Sequence, residues 1–170
     1  RRRGIAVWEP RLRRGRVTAL VAHLALKRGD AKQAMAIIEE AIERTEKTIG
    51  SRHPRTLWLQ RQRANILLNA GEADQASAYA LEVSERCKEA SGGRETLQYS
   101  ALHVYGTALN AQCRFRDARR VHARNWVQRC LLQGPFSDHT RESAGAWIST
   151  WLGEWRGTNS TPGAEIHLES

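Results

Sequence analysis

Apolar residues recur along this chain with the period of a helix, and outside a few connectors no segment of strand length alternates. In residues 31–49 the apolar stripe comprises Ala34, Ile38, Ala41, Ile42, Thr45 and Ile49. Behind it lie Glu39, Glu40, Glu43 and Lys47, a solvated face. Glu40 to Arg44 and Glu43 to Lys47 are glutamate-first pairs at i,i+4, each adding a few tenths of a kcal/mol. The pattern predicts helices over about 16–28, 31–49, 56–70, 73–90, 96–112 and 115–132, and one more lone helix that ends near 155.

The helices repeat. Gly29, Gly71 and Cys113 are spaced by 42 residues, as are Ala34, Ala76 and Ala118, and Gly50, Gly92 and Gly134. The strings KRGDAKQA, NAGEADQA and AQCRFRDA superimpose without a gap, and Ala22, Ala64 and Gly106 lie seven residues before the turn mark in each. A small residue at that phase is what a close helix crossing requires. Gly29 and Gly71 stand where a helix ends in a left-handed residue, a conformation that penalises any side chain with a Cβ. Gly50 and Gly92 close the second helices in the same way. Pro54 and Pro135 fall after the glycines, in the loops.

A helix–turn–helix unit of 42 residues, with a G-D/E-x-x-x-A turn and the connector G-S-R-H-P-R-T-L from Gly50 to Leu57, resembles tetratricopeptide repeats of the longer kinesin-light-chain type. The resemblance spans residues 16–155. It implies an all-α fold of antiparallel hairpins stacked as a right-handed solenoid, with about three repeats and a terminal helix. The third unit departs from the pattern: Cys113 replaces the turn glycine, and His122 and Asn125 take phases that are apolar in the first unit. Residues 1–15 read as the end of a preceding repeat or a basic linker, with WEPRLRRG in a connector and Arg1 to Val7 in an earlier helix. Residues 156–170 read as a flexible tail.

Charge alters the picture only at one end. The net charge is +9, but seven arginines against Glu9 within residues 1–16 leave the remainder at +3. Three cysteines without C-x-x-C spacing suggest a reducing, cytoplasmic setting and read as small apolar fillers facing neighbouring helices. No nucleophile elbow, Walker loop, HExxH or dinucleotide fingerprint occurs, so neither enzyme, cofactor nor metal is expected. No two histidines or cysteines form an i,i+3 or i,i+4 ligand pair, and His53 reads as part of a connector turn.

Three surfaces are candidates for binding. The resemblance implies a protein interaction module, part of a larger scaffold or regulatory protein, that holds a partner's peptide or helix in its concave groove. Rows at one phase of the first helices are Ala19, Arg61, His103; His23, Asn65, Thr107; and Lys27, Asn69, Ala111. From these, His23, Lys27, Arg61, Asn65, Asn69, His103 and Thr107 are the expected partner-binding residues, suited to an acidic or carboxylate-bearing peptide. A nucleic acid or acidic surface is the alternative, through Arg116, Arg120 and Arg124 in a segment, 114–129, of net charge +5 that also counts Arg129. Trp147, Trp151 and Trp155 repeat at i,i+4,i+8 on the last helix, a stripe expected to cover the third repeat or to dock another domain.

Gly71→Val should cost on the order of 1–2 kcal/mol or more through the left-handed turn. Ala64→Leu should cost about 1–3 kcal/mol through the crossing. Chemical denaturation of both variants checks the register, and parental midpoints would contradict it.

Overall fold

The computed structural model describes residues 9–90 and 95–159, with side chains from 16–90 and 95–155. These form α1 (Glu9–Lys27), α2 (Ala31–Ile49), α3 (Pro54–Asn69), α4 (Ala73–Glu89), α5 (Glu95–Ala111), α6 (Phe115–Gln133) and α7 (Asp138–Asn159), and no strand is present among them. Each helix packs on the next. In addition α1 touches α3, α3 touches α5 and α5 touches α7, whereas α2, α4 and α6 do not touch one another. The first helices of the hairpins therefore form the crowded inner layer and the second helices the splayed outer one, as a curved helical solenoid requires.

The three hairpin turns share one geometry. In the first, Gly29 N–H donates to Leu26 O at 2.9 Å and Asp30 N–H to Ala25 O at 3.0 Å, with Gly29 at φ +86. Gly71 and Glu72 repeat the pair at 3.1 and 3.0 Å, and Cys113 and Arg114 at 3.0 and 2.9 Å. This is the Schellman arrangement. Cys113 holds it at φ +59, the one non-glycine residue of positive φ among those described. Between hairpins a second device recurs: Thr56 Oγ1 donates to Gly50 O at 2.8 Å, and Thr140 Oγ1 to Gly134 O at 2.9 Å. His53 caps α3, its Nδ1 accepting from Arg55 N–H at 3.2 Å just before Pro54.

Ala22, Ala64, Ala34, Ala76 and Ala118 are completely buried, and Gly106 is buried too. The crossing they allow differs in the third unit. There the outer helix presents His122 where the earlier units, 42 residues apart, have Ile38 and Ala80. A Cβ on Gly106 would lie 2.6 Å from His122 Cε1 and 2.7 Å from Nε2. The glycine and the imidazole thus share a volume that Ala64 and Ala80 divide differently. Beside the buried Val104 and Leu109, this unit also holds polar contacts: Asn125 Nδ2 donates to Tyr99 O at 2.9 Å, and Asn110 Nδ2 to the buried Thr150 Oγ1 at 2.8 Å.

Four expectations need correction. Helix α1 starts at Glu9, so Pro10 to Gly15 are helical rather than connector; proline is tolerated in a first turn, and the arginines and leucine after it favour the helix. Helix α7 runs to Asn159, so residues 156–159 continue the helix and do not belong to a tail. Arg1 to Val7, Gly92 and residues 160–170 lie outside the described residues. Of the cysteines Cys87 is buried, whereas Cys113 is exposed, because its turn points it outward rather than at a neighbouring helix. The tryptophan stripe, finally, covers the third repeat mainly through Trp147, stacked on Trp126, and is not the fully buried face of α7. That face is Thr140, Ser143 and Thr150, small hydroxyls that suit the polar ends of α5 and α6, while Trp151 and Trp155 are 52% and 66% exposed.

Gly106→Ala alone should destabilise by about 1–3 kcal/mol through overpacking. His122→Ala alone should leave a cavity. The double variant reproduces the second unit's pairing, so a double-mutant cycle by urea denaturation should show favourable coupling of at least about 1 kcal/mol. Additive losses would contradict the shared-volume reading.

Candidate functional site

A cleft of about 550 Å³ opens on the inner layer between α3, α5 and α7. Its apolar part is Pro54, Trp58 and Leu97, and its polar part holds Arg61, Ser100, His103, Arg129, His139 and Glu142. Trp58, Ser100 and Glu142 occupy one phase of the three helices, 42 residues apart, and Arg61 and His103 occupy the adjacent phase. Periodicity therefore aims both rows at one space.

Arg129 reaches this space from behind. It belongs to the outer helix α6 at the phase of Thr45 and Cys87, yet its side chain is only 2% exposed. Nη1 donates to His139 O at 2.8 Å and Nη2 to Ser100 Oγ at 3.3 Å. Glu142 sits among the cations at distances too long for hydrogen bonds: 3.6 Å from His103 Nε2, 3.6 Å from His139 Nδ1 and 4.0 Å from Arg129 Nη1. Arg61 Nη1 donates to Gln62 Oε1 at 2.9 Å. Arg61 Nε, Arg129 Nε and His103 Nδ1 are buried without a hydrogen-bond partner.

Burial holds His103 below the ordinary imidazole pKa; Glu142 opposes this, and Arg129 and Arg61 add to it. Burial likewise lowers Arg61 and Arg129, again against Glu142. Behind them His122 is pushed down to about 4, chiefly by burial and then by His103, whose ring meets it edge-on at 5.6 Å. Both nitrogens of His122 lack a hydrogen bond of ordinary geometry, and the nearby Gly106 backbone only weakly favours the charged form.

Of the seven expected binding residues, Arg61 and His103 line the cleft. His23, Lys27, Asn65, Asn69 and Thr107 share the inner helices but lie outside it. His23 is half-buried near Arg61 and Lys27, and burial first, then those two charges, lower its pKa. Asn69 Nδ2 and Thr107 Oγ1 donate to their own helices, at Asn65 O (2.7 Å) and His103 O (2.9 Å). Ala19, assigned to a groove row, is core at 3% exposure. Trp58, Ser100, Arg129, His139 and Glu142 were not among the expected residues. The phase of Trp58 and Ser100, carried on into α7, leads straight to Glu142, whereas Arg129 had the appearance of one more surface arginine.

The alternative surfaces look different. Arg116, Arg120 and Arg124 are exposed on the outer helix, away from the cleft. Trp126 beside them is stacked on Trp147, ring centroids 5.9 Å apart, and so is committed to the α6–α7 contact. Arg119 bonds Glu154 at 2.5 Å and lies over the Trp151 ring at 4.1 Å. No helix among the described residues is long and apolar enough to cross a membrane.

The tetratricopeptide repeat family model matches residues 15–89, the first two hairpins. A Podosopora anserina structure of nearly identical TPR-like repeats, described as kinesin light chain, superposes with a TM-score of 0.71. The alignment covers 86% of this chain and 69% of that one at 15% identity, a likeness of fold. Residues 15–89 belong to the tetratricopeptide repeat family. A point variant of the same Podosopora protein aligns at 12% identity over 86% of this chain and 89% of that one, with a TM-score of 0.45 that carries no weight. No curated protein matches. Tetratricopeptide repeats as a class are protein interaction modules whose curvature provides concave surfaces.

Because His122 has a folded pKa near 4 against 6.5 in the unfolded chain, the unfolded state binds more protons below pH 6.5. Stability is complete above pH 6.5 and is lost as pH falls toward 4, by about 3 kcal/mol from this residue. Urea denaturation from pH 7 to 4 should show the loss, and His122→Ala should flatten the slope. An unchanged slope would place the acid sensitivity elsewhere.

Proposed function

We propose that this chain binds a segment of a protein partner along its concave face, with the cleft between α3, α5 and α7 as the main contact. The supporting observation is the cleft itself: about 550 Å³, with an indole, a leucine and a proline beside two arginines and two histidines. A peptide side chain buries apolar area against Trp58 and Leu97, and polar peptide groups meet Arg61 and His103. Asn65 and Asn69, further along α3, extend the row toward Lys27 and His23, where they satisfy peptide backbone groups. The chain serves as the recognition part of a scaffold or regulatory protein, without catalysis of its own, in the cytoplasm. Arginines 116, 120 and 124 offer charge to a nucleic acid, but Trp126 beside them is stacked on Trp147 and Trp151 lies under Arg119, so the groove is the stronger reading.

Selection of binders from a randomised peptide library, followed by fluorescence anisotropy of the enriched peptides, tests this reading. The Arg61→Ala, Asn65→Ala double variant should retain its helical circular dichroism and lose at least tenfold in affinity, about 1.4 kcal/mol or more. Unchanged affinity would move the site off the groove, with the exposed Trp151 and Trp155 next to be examined.

A further inference from the structure

The outward stripe of the third outer helix departs from those of the other two. On α2 it carries Lys32, Glu40, Glu43 and Lys47, and on α4 Asp74, Glu82, Glu85 and Glu89, all of them exposed. At the same phase α6 holds Arg116, Arg124, Val127 and Leu131, with Arg120 in place of Ala36 and Ala78, and these too are exposed. Acids give way to bases over the first half of the helix and to aliphatic side chains over the second. A single exposed leucine is ordinary, but an apolar row that continues a basic one marks a contact surface.

The arginines have no acid to meet on their own helix. Outward carboxylates of α2 and α4 pair within their helices, Glu40 with Arg44, Glu43 with Lys47 and Glu82 with Arg86. In α6 the single acid is Asp117, and Arg114 already holds it at 2.8 Å. Val127 is 47% and Leu131 76% exposed, and they are joined by Leu132 at 52% and Phe136 at 88%. Phe136 lies in the connector after α6 at the register position of Arg52, which reaches Glu89 on the outer side of α4 at 3.6 Å. By that register the ring stands at the apolar end of the stripe. From Arg116 to Leu131 the stripe is about 22 Å long.

We propose that the outward face of α6 docks on an anionic lipid surface, with its arginines on headgroup phosphates and Leu131, Leu132 and Phe136 at the boundary with the acyl chains. Charge complementarity selects an anionic partner, and the aliphatic row selects lipid over nucleic acid, because valine and leucine give a base no ring to stack on. The outer helices do not touch one another, so α6 stands as a ridge without a facing wall. A ridge suits a plane, whereas a bound helix needs a groove. Contact of this kind needs no spanning helix, and it leaves the cleft on the inner layer open to a protein partner.

Sedimentation with phosphatidylcholine vesicles, plain or with phosphatidylserine added, tests the proposal on the intact chain at constant ionic strength. The anionic vesicles should bind at least about tenfold more tightly than the neutral ones. Arg120→Ser with Arg124→Ser should lose about tenfold or more, and Leu131→Ser with Phe136→Ser, which leaves the charge unchanged, should lose about as much. All four positions are exposed, and helical circular dichroism checks that the fold is kept. The basic segment 1–16 sets the control: Arg13→Ser with Arg14→Ser removes the same charge and should cost no more than about threefold. Binding to neither vesicle, binding untouched by the Leu131 and Phe136 changes, or binding lost through Arg13 and Arg14 in place of Arg120 and Arg124 would each overturn the proposal. A single-stranded oligonucleotide that binds more tightly than the vesicles, through the arginines and independently of Leu131 and Phe136, would overturn it too and assign the face to nucleic acid.

Discussion

Each hairpin closes on one tight contact, the crossing of an inner and an outer helix over a small residue, and the rest of the structure depends on it. At Ala22 and Ala64 the inner helix gives up side-chain volume so that Ile38 and Ala80 of the outer helix can lie against it. The left-handed turn at Gly29, Gly71 or Cys113 then returns the chain at the angle this approach requires. Close packing in the hairpin brings α1, α3, α5 and α7 side by side and keeps α2, α4 and α6 apart, and that asymmetry is the source of the concave face.

In the third unit the same crossing is made from different atoms. His122 brings a large polar ring to the outer helix, and Gly106 yields the room. Polar groups then continue along α6: Asn125 bonds Tyr99 O, and Arg129 bonds His139 O and Ser100 Oγ. An apolar outer helix would have sealed this unit as it seals the first. The polar one extends a guanidinium through the layer into the cleft, so the residues that weaken the core are also the ones that charge the groove.

The fold was legible because 3.6-residue stripes and a 42-residue register are both one-dimensional signals. Five of the six hairpin helices end within two residues of expectation at each boundary; α1 is the exception, since seven additional helix-compatible residues precede the first clear stripe. The site was legible in part. Arg61 and His103 share a phase visible in the sequence, but Arg129 resembles its exposed neighbours Arg116, Arg120 and Arg124 until the outer helix is seen to turn it inward. Trp151 and Trp155 misled for the opposite reason, whereas Trp147 does pack on the third repeat. Their spacing describes a face, but which face of α7 is buried depends on the polarity of α5 and α6, information that α7 itself does not contain.

A backbone amide NMR map with a library-selected peptide tests most directly whether the crowded inner layer is the recognition surface. Shifts on saturation should concentrate on α3, α5 and α7 around the cleft, extend to the Arg129 side chain on α6, and leave the outward faces of α2 and α4 unmoved. Shifts centred on the exposed arginines of α6, or on Trp151 and Trp155, with α3 and α5 unaffected, would contradict it.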